Sequence, residues 1–183
     1  MTDRPHKIML VEDDPEIVEI LVASLSKRID AQITCVADME SCLDVDMVDP
    51  HHLVICELDL EDGSGVALAE KLCMLAARPV ILLADDPTTQ HTIAALRLGV
   101  RDLLIKPFPV TDLLDAAERA LRKHDVRRAH VAKYHRMRKL VRRVLRERRE
   151  INQRVELVCR DLVGAQRRLM HRVLTSQEAH TTN

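Results

Sequence analysis

A parallel α/β sheet followed by a long helical extension is the fold class this chain predicts, and three features carry it. Short unbroken apolar runs recur, as in Leu53-Val54-Ile55-Cys56, at a length suited to strands buried on both faces of a parallel sheet. Segments with helical spacing alternate with those runs, which argues for helices covering both faces. From residue 111 to 174 there is no proline and a single glycine, Gly164, so nothing forces a helix to stop.

The first strand is expected over residues 7–11 and ends in Glu12, Asp13 and Asp14. Asp14 before Pro15 reads as an acid N-cap with proline at the first helical position, opening a helix to about residue 28. A second strand over 31–36 and a helix over 38–48 follow. The third strand lies in the stretch HLVICELDLEDGSG, and Glu57 stands at its carboxyl edge, where open α/β sheets bind ligands. Gly63 and Gly65 are expected to take backbone angles closed to other residues before a helix over 66–75. PVILL, residues 79–83, is the fourth strand, and a helix over 87–98 ends at Gly99 as its C-cap. A fifth strand over 103–105 is stopped by Lys106-Pro107-Phe108, and a last helix opens near Thr111.

The 183 residues allow one domain of ordinary size plus an appendage. With one Tyr, one Phe and no Trp, the core must be aliphatic, and aromatic platforms for single-stranded nucleic acid are excluded. Charge is divided sharply: residues 1–121 hold 10 Lys/Arg against 23 Asp/Glu, and residues 122–183 hold 18 against 6. Halves of opposite sign indicate modules with different partners, or modules that attract each other. Cys35, Cys42, Cys56, Cys73 and Cys159 form no CxxC pair and read as reduced structural thiols, four of them in apolar contexts that favour burial. No signal peptide or membrane-spanning run is visible, so a cytoplasmic protein without a membrane partner is expected.

The segments KIMLVEDDPEI, HLVICELDLEDGSG, PVILLAD and GVRDLLIKPF, in this order and spacing, resemble the receiver domain of two-component response regulators. The resemblance covers residues 5 to about 122. It implies a flavodoxin-like sheet with strand order 2-1-3-4-5 and an acidic pocket that binds magnesium and accepts phosphoryl on an aspartate. Glu12 and Asp13 match the family's acid pair, and Lys106, before Pro107, matches its lysine, with a peptide bond that the family usually makes cis. Counting back from Gly65 and Leu60 puts Glu57, not Asp59, at the phosphoacceptor position, and leaves Asp59 the role of a backbone carbonyl toward the metal. Ala84 stands where the family has Ser or Thr, and Leu103 where it has a switch aromatic. The magnesium site so implied comprises Glu12, Asp13, Glu57 and Asp59; no other cofactor and no catalytic residue is expected.

Three readings of this altered pocket stay open. In one, Glu57 meets Lys106 and holds a single signalling state without phosphate. In the other, the pocket has become a plain ion-paired scaffold. Phosphorylation of Glu57 or Asp59 is a third.

Beyond the receiver, apolar residues recur at alternating steps of three and four. The a positions are Val141, Arg148, Val155, Leu162 and Leu169; the d positions are Met137, Val144, Ile151, Val158 and Ala165. That seam predicts a coiled coil and a homodimer, with Arg148 costing stability while fixing register. Residues 122–149 carry 13 Lys/Arg against Asp125 and Glu147, which calls for an anionic neighbour: the acidic receiver, a partner or nucleic acid. The organisation expected is a receiver over 1–122, a basic coiled-coil extension over 123–174 and a disordered tail over 175–183. The function expected is a non-enzymatic, phosphorylation-independent response regulator that signals by protein contact and dimerisation. The alternative is a transcriptional or RNA regulator binding nucleic acid through 122–149.

Overall fold

Alternation of buried residues along each strand decides the architecture. In β1 (His6–Val11), Ile8 and Leu10 face one way, Met9 and Val11 the other, and all four are fully buried. β3 (Leu53–Glu57) divides in the same manner between Leu53 and Ile55 and Val54 and Cys56, as strand geometry requires. A sheet buried on both faces needs two helical layers. α1 (Pro15–Arg28) and α5 (Val110–His180) supply one, through Leu21, Leu25, Leu113, Ala116 and Ala120. α2 (Met39–Val48), α3 (Gly65–Leu75) and α4 (Thr89–Leu98) supply the other, through Cys42, Leu68, Leu72 and Ala95.

This computed structural model describes residues 5–75 and 78–180, with the side chains of residues 167 and 169–180 excepted. The main sheet is entirely parallel and runs β2 (Ala31–Val36), β1, β3, β6 (Val80–Ala84), β7 (Asp102–Ile105). That is the expected 2-1-3-4-5 order, once a small antiparallel pair, β4 (Asp59–Leu60) with β5 (Gly63–Ser64), is set apart.

Helix ends follow local chemistry. Asp14 caps α1, accepting from the Glu16 N–H at 2.8 Å, and Asp38 caps α2, accepting from the Ser41 N–H at 2.7 Å. Thr88 caps α4 and Gly99 closes it with φ of 73°. Gly63 and Gly65, expected to need such angles, do not have them: Gly99 alone among the described residues has positive φ. Gly65 is required for another reason, because a Cβ there would collide with the Glu57 carbonyl oxygen and come within 3.1 Å of Leu82.

The chain divides into two units, Met1–Ala129 and His130–Asn183. The first passes the expected boundary at 122 because the next turn of α5 still meets the sheet, with His6 Nε2 3.5 Å from Asp125 and the His124 ring against His52. Residues 175–180, expected to be disordered, are the end of α5; nothing in Thr175-Ser176-Gln177-Glu178-Ala179 breaks a helix, and residues 181–183 lie outside the described part. Of the cysteines, Cys42 and Cys56 are buried and Cys73 is half-buried, whereas Cys35, on edge strand β2, and Cys159 are exposed, fewer buried thiols than expected. Among the described residues no helix is long and apolar enough to cross a membrane.

Candidate functional site

Three carboxylates and a lysine converge at the carboxyl edge of the sheet because the parallel strands β1, β3, β6 and β7 all end there. β1 delivers Glu12, whose N–H bonds the Val36 carbonyl at 3.1 Å. β3 delivers Glu57 as its last residue, and the next N–H, Leu58, bonds the Leu83 carbonyl at 2.7 Å. Lys106 follows β7; its N–H bonds the Ala84 carbonyl at 2.7 Å, and the peptide bond to Pro107 is cis, as the resemblance implies. Gly65 N–H donates to the Leu58 carbonyl at 2.8 Å, so α3 begins in contact with the end of β3.

Lys106 Nζ donates to Glu57 Oε1 at 2.7 Å and lies 3.4 Å from Glu12 Oε2 and 3.7 Å from Asp85 Oδ2. Glu12 and Glu57 are buried, at 3% and 8% exposure, so water does little to separate their charges. Burial, together with the charge and hydrogen bonding of Glu57, pushes the Glu12 pKa up to about 7 against the opposing pull of Lys106. Burial alone would lower the Lys106 pKa, but the hydrogen bond to Glu57 and the charges of Glu12, Glu57 and Asp85 raise it. Lys106 is therefore a fixed cation, and Glu12 is the group whose proton balances the cluster near neutrality.

Oxygens of Glu12, Asp13 and Glu57 all lie within 4.8 Å of one another. Three carboxylates in this arrangement fit a hard divalent cation, which takes oxygen ligands and would relieve the charge that burial makes costly on Glu12. The Asp59 side chain is not part of that group; it is exposed on β4. Ala84, 1% exposed at the end of β6, offers a methyl where a hydroxyl would donate, and Leu103 is half-buried on β7. Asp85 was not expected in the pocket, although it directly follows the fourth apolar run and so had to emerge at this edge.

The seam residues are placed on α5. Met137, Val141, Val144, Ile151, Val155, Val158 and Leu162 are 51–64% exposed, Arg148 is exposed and Ala165 is half-buried; the Leu169 side chain lies outside the described part. Within the second unit, no described Lys or Arg lies within ion-pair distance of a carboxylate.

The family model for the response regulator receiver domain matches residues 8–118. The chain is similar to the transcriptional activator protein PfeR of Pseudomonas aeruginosa, at 33% identity over 115 residues, 63% of this chain and 37% of PfeR. It is similar to response regulator ArlR of Staphylococcus aureus at 25% over 117 residues, 64% of this chain and 53% of ArlR. The chain thus spans about half or less of the curated relatives it matches. Among solved structures, the signal receiver domain of an HD domain-containing protein from Pseudomonas fluorescens gives a TM-score of 0.66 at 24% identity, covering 70% of this chain and 96% of that one. The non-phosphorylated HemR receiver domain from Leptospira biflexa gives 0.59 at 26%, covering 64% and 94%.

Proposed function

The chain belongs to the response regulator receiver family of two-component signalling, and from that premise we propose that it signals without aspartyl phosphorylation and transmits by association through α5. One observation carries the reading: the Glu57 carboxylate already occupies Lys106, 2.7 Å away, at the position where the family carries its transferable phosphoryl group.

The chemistry follows from this chain's own side chains. A phosphoryl group needs an acceptor carboxylate, a lysine and a hydroxyl for its oxygens. Here the acceptor position holds a glutamate one methylene longer, and that methylene brings the charge to the lysine instead of to a donor. Ala84 supplies no hydroxyl. Burial and the neighbouring Glu57 together hold a proton on Glu12 up to about pH 7, which lessens the negative charge in the pocket below that pH. A divalent cation held by Glu12, Asp13 and Glu57 would supply countercharge to the same cluster.

Association is supported by the seam, which leaves seven large aliphatic side chains more than half exposed on one heptad register. The test of the central claim is phosphate-affinity electrophoresis after treatment with acetyl phosphate and magnesium. An unshifted band is expected; a shifted band lost in Glu57→Gln would end the proposal.

A second reading has its own support. No Lys or Arg of 130–149 lies within ion-pair distance of a carboxylate among the described residues, which leaves their charge open to a nucleic acid backbone. Fluorescence anisotropy with duplex and single-stranded probes at two salt concentrations tests it, and an affinity that does not fall with salt removes it.

A further inference from the structure

The amino edge of the sheet, at the other end of the strands from the carboxylates, holds a cavity of about 280 Å³. Arg78 enters it from just before β6, Arg101 from just before β7, and Lys123, His124 and Arg127 from α5. These belong to the first unit, whose first 121 residues carry 10 Lys/Arg against 23 Asp/Glu. A concentration of cations on an acidic domain is a local reversal of its field.

The cations are not equivalent. Arg78 is committed: its guanidinium pairs with buried Asp46, which also accepts from the His51 N–H at 3.0 Å. It forms a wall and not a hook. Arg101, Lys123 and Arg127 have no carboxylate within ion-pair distance among the described residues, and the His124 Nδ1 is buried without a hydrogen-bond partner, the Asp125 carboxylate standing 3.9 Å away. Three uncompensated positive charges around one concavity repel one another, and an anion seated between them removes that cost. Two of the three are guanidinium forks, which match phosphate oxygens in bidentate geometry. Pro79, Leu98 and Ala120 make an apolar side for a small substituent. The volume lies near the lower end of small-molecule sites and suits a compact ligand.

We propose that this cavity binds a small phosphate-bearing anion, with Arg101, Lys123 and Arg127 as the contacts that hold it. The site is independent of the carboxylate pocket and of the reading given above for it.

Isothermal titration of the full chain with pyrophosphate and with ADP tests the proposal, with sodium chloride at matched ionic strength as the control. One molecule bound per chain is expected for at least one probe, weakened about tenfold or more in Arg101→Gln/Arg127→Gln and unaltered in Arg142→Gln/Arg143→Gln. Urea melts establish that the variants fold; Lys123→Gln replaces the double variant if it does not. The proposal fails if neither probe saturates. It fails if binding survives the cavity variant and disappears in the Arg142/Arg143 variant. It also fails if an oligonucleotide outcompetes both small probes, since the cations would then serve a polymer.

Discussion

Lys106 Nζ sits between two buried carboxylates, 2.7 Å from Glu57 Oε1 and 3.4 Å from Glu12 Oε2, so one ammonium serves a pair. Lys106→Met keeps the volume and removes the charge, leaving the pair uncompensated. Loss of one partner from a buried ion pair costs ~3–5 kcal/mol. Urea unfolding should show that loss, larger above the Glu12 pKa of about 7 than well below it. A variant as stable as the parent at both ends of the range would mean that the cluster is solvated.

The raised Glu12 pKa fixes the sign of a pH dependence. Between the ordinary value of 4.5 and about 7 the folded chain holds a proton that the unfolded chain has released, so this group's contribution to stability declines as pH rises through that window. Asp46 acts in the opposite sense. Burial alone would raise its pKa, but hydrogen bonds from His51 and the charge of Arg78 hold it below the usual range, so its contribution disappears as acid is added. Glu12→Gln should flatten the decline between 4.5 and 7 and leave the acid limb intact, as read by the urea midpoint against pH. An unchanged profile in that variant would assign the decline elsewhere.

Restoring the family's acceptor and hydroxyl should restore phosphoryl chemistry. Glu57→Asp shortens the acid away from Lys106, and Ala84→Ser adds the missing donor, a charge-assisted contact of ~1.5–3 kcal/mol to a bound phosphoryl group. The double variant is expected to give an acetyl-phosphate-dependent shifted band, and the parent none. Failure of the double variant to shift would show that more than these two positions silences the pocket.

Magnesium should raise the melting temperature. At about 100-fold over its Kd a ligand specific to the folded state adds ~2.7 kcal/mol. Asp13→Asn removes one of the three carboxylates and should reduce the shift strongly. A parent chain whose melt ignores magnesium would leave Lys106 as the cluster's sole countercharge.

Sedimentation equilibrium should give a dimer for the full chain and a monomer for a chain ending at Ala129, the limit of the first unit. Val155→Asp, at an a position, should also dissociate it, whereas Arg148→Leu should tighten association at the expense of register. A monomeric parent across the micromolar range would remove dimerisation from the proposal.

Most of the pocket was legible in the sequence because parallel strands place their carboxyl ends together, and Glu12, Glu57 and Lys106 each follow a readable apolar run. The same rule places Asp85, which directly follows the fourth apolar run. The role of Gly65 is not legible in the sequence because its constraint is steric, and comes from a strand end eight positions earlier in the chain instead of from a left-handed turn. The cavity at the amino edge is not legible in the sequence: Arg78 and Arg101 stand singly in the chain, and only the return of α5 along the sheet brings Lys123 and Arg127 to them.

The close approach at Gly65 has a mechanical side. Its Cα lies so near the Glu57 carbonyl that even a methyl group cannot be fitted between them, and its N–H is tied to the adjoining Leu58 carbonyl. There is no slack at that junction. A shift of the acid-bearing strand end toward α3 has to carry the first turn of that helix along with it, so pocket and helix move as one piece.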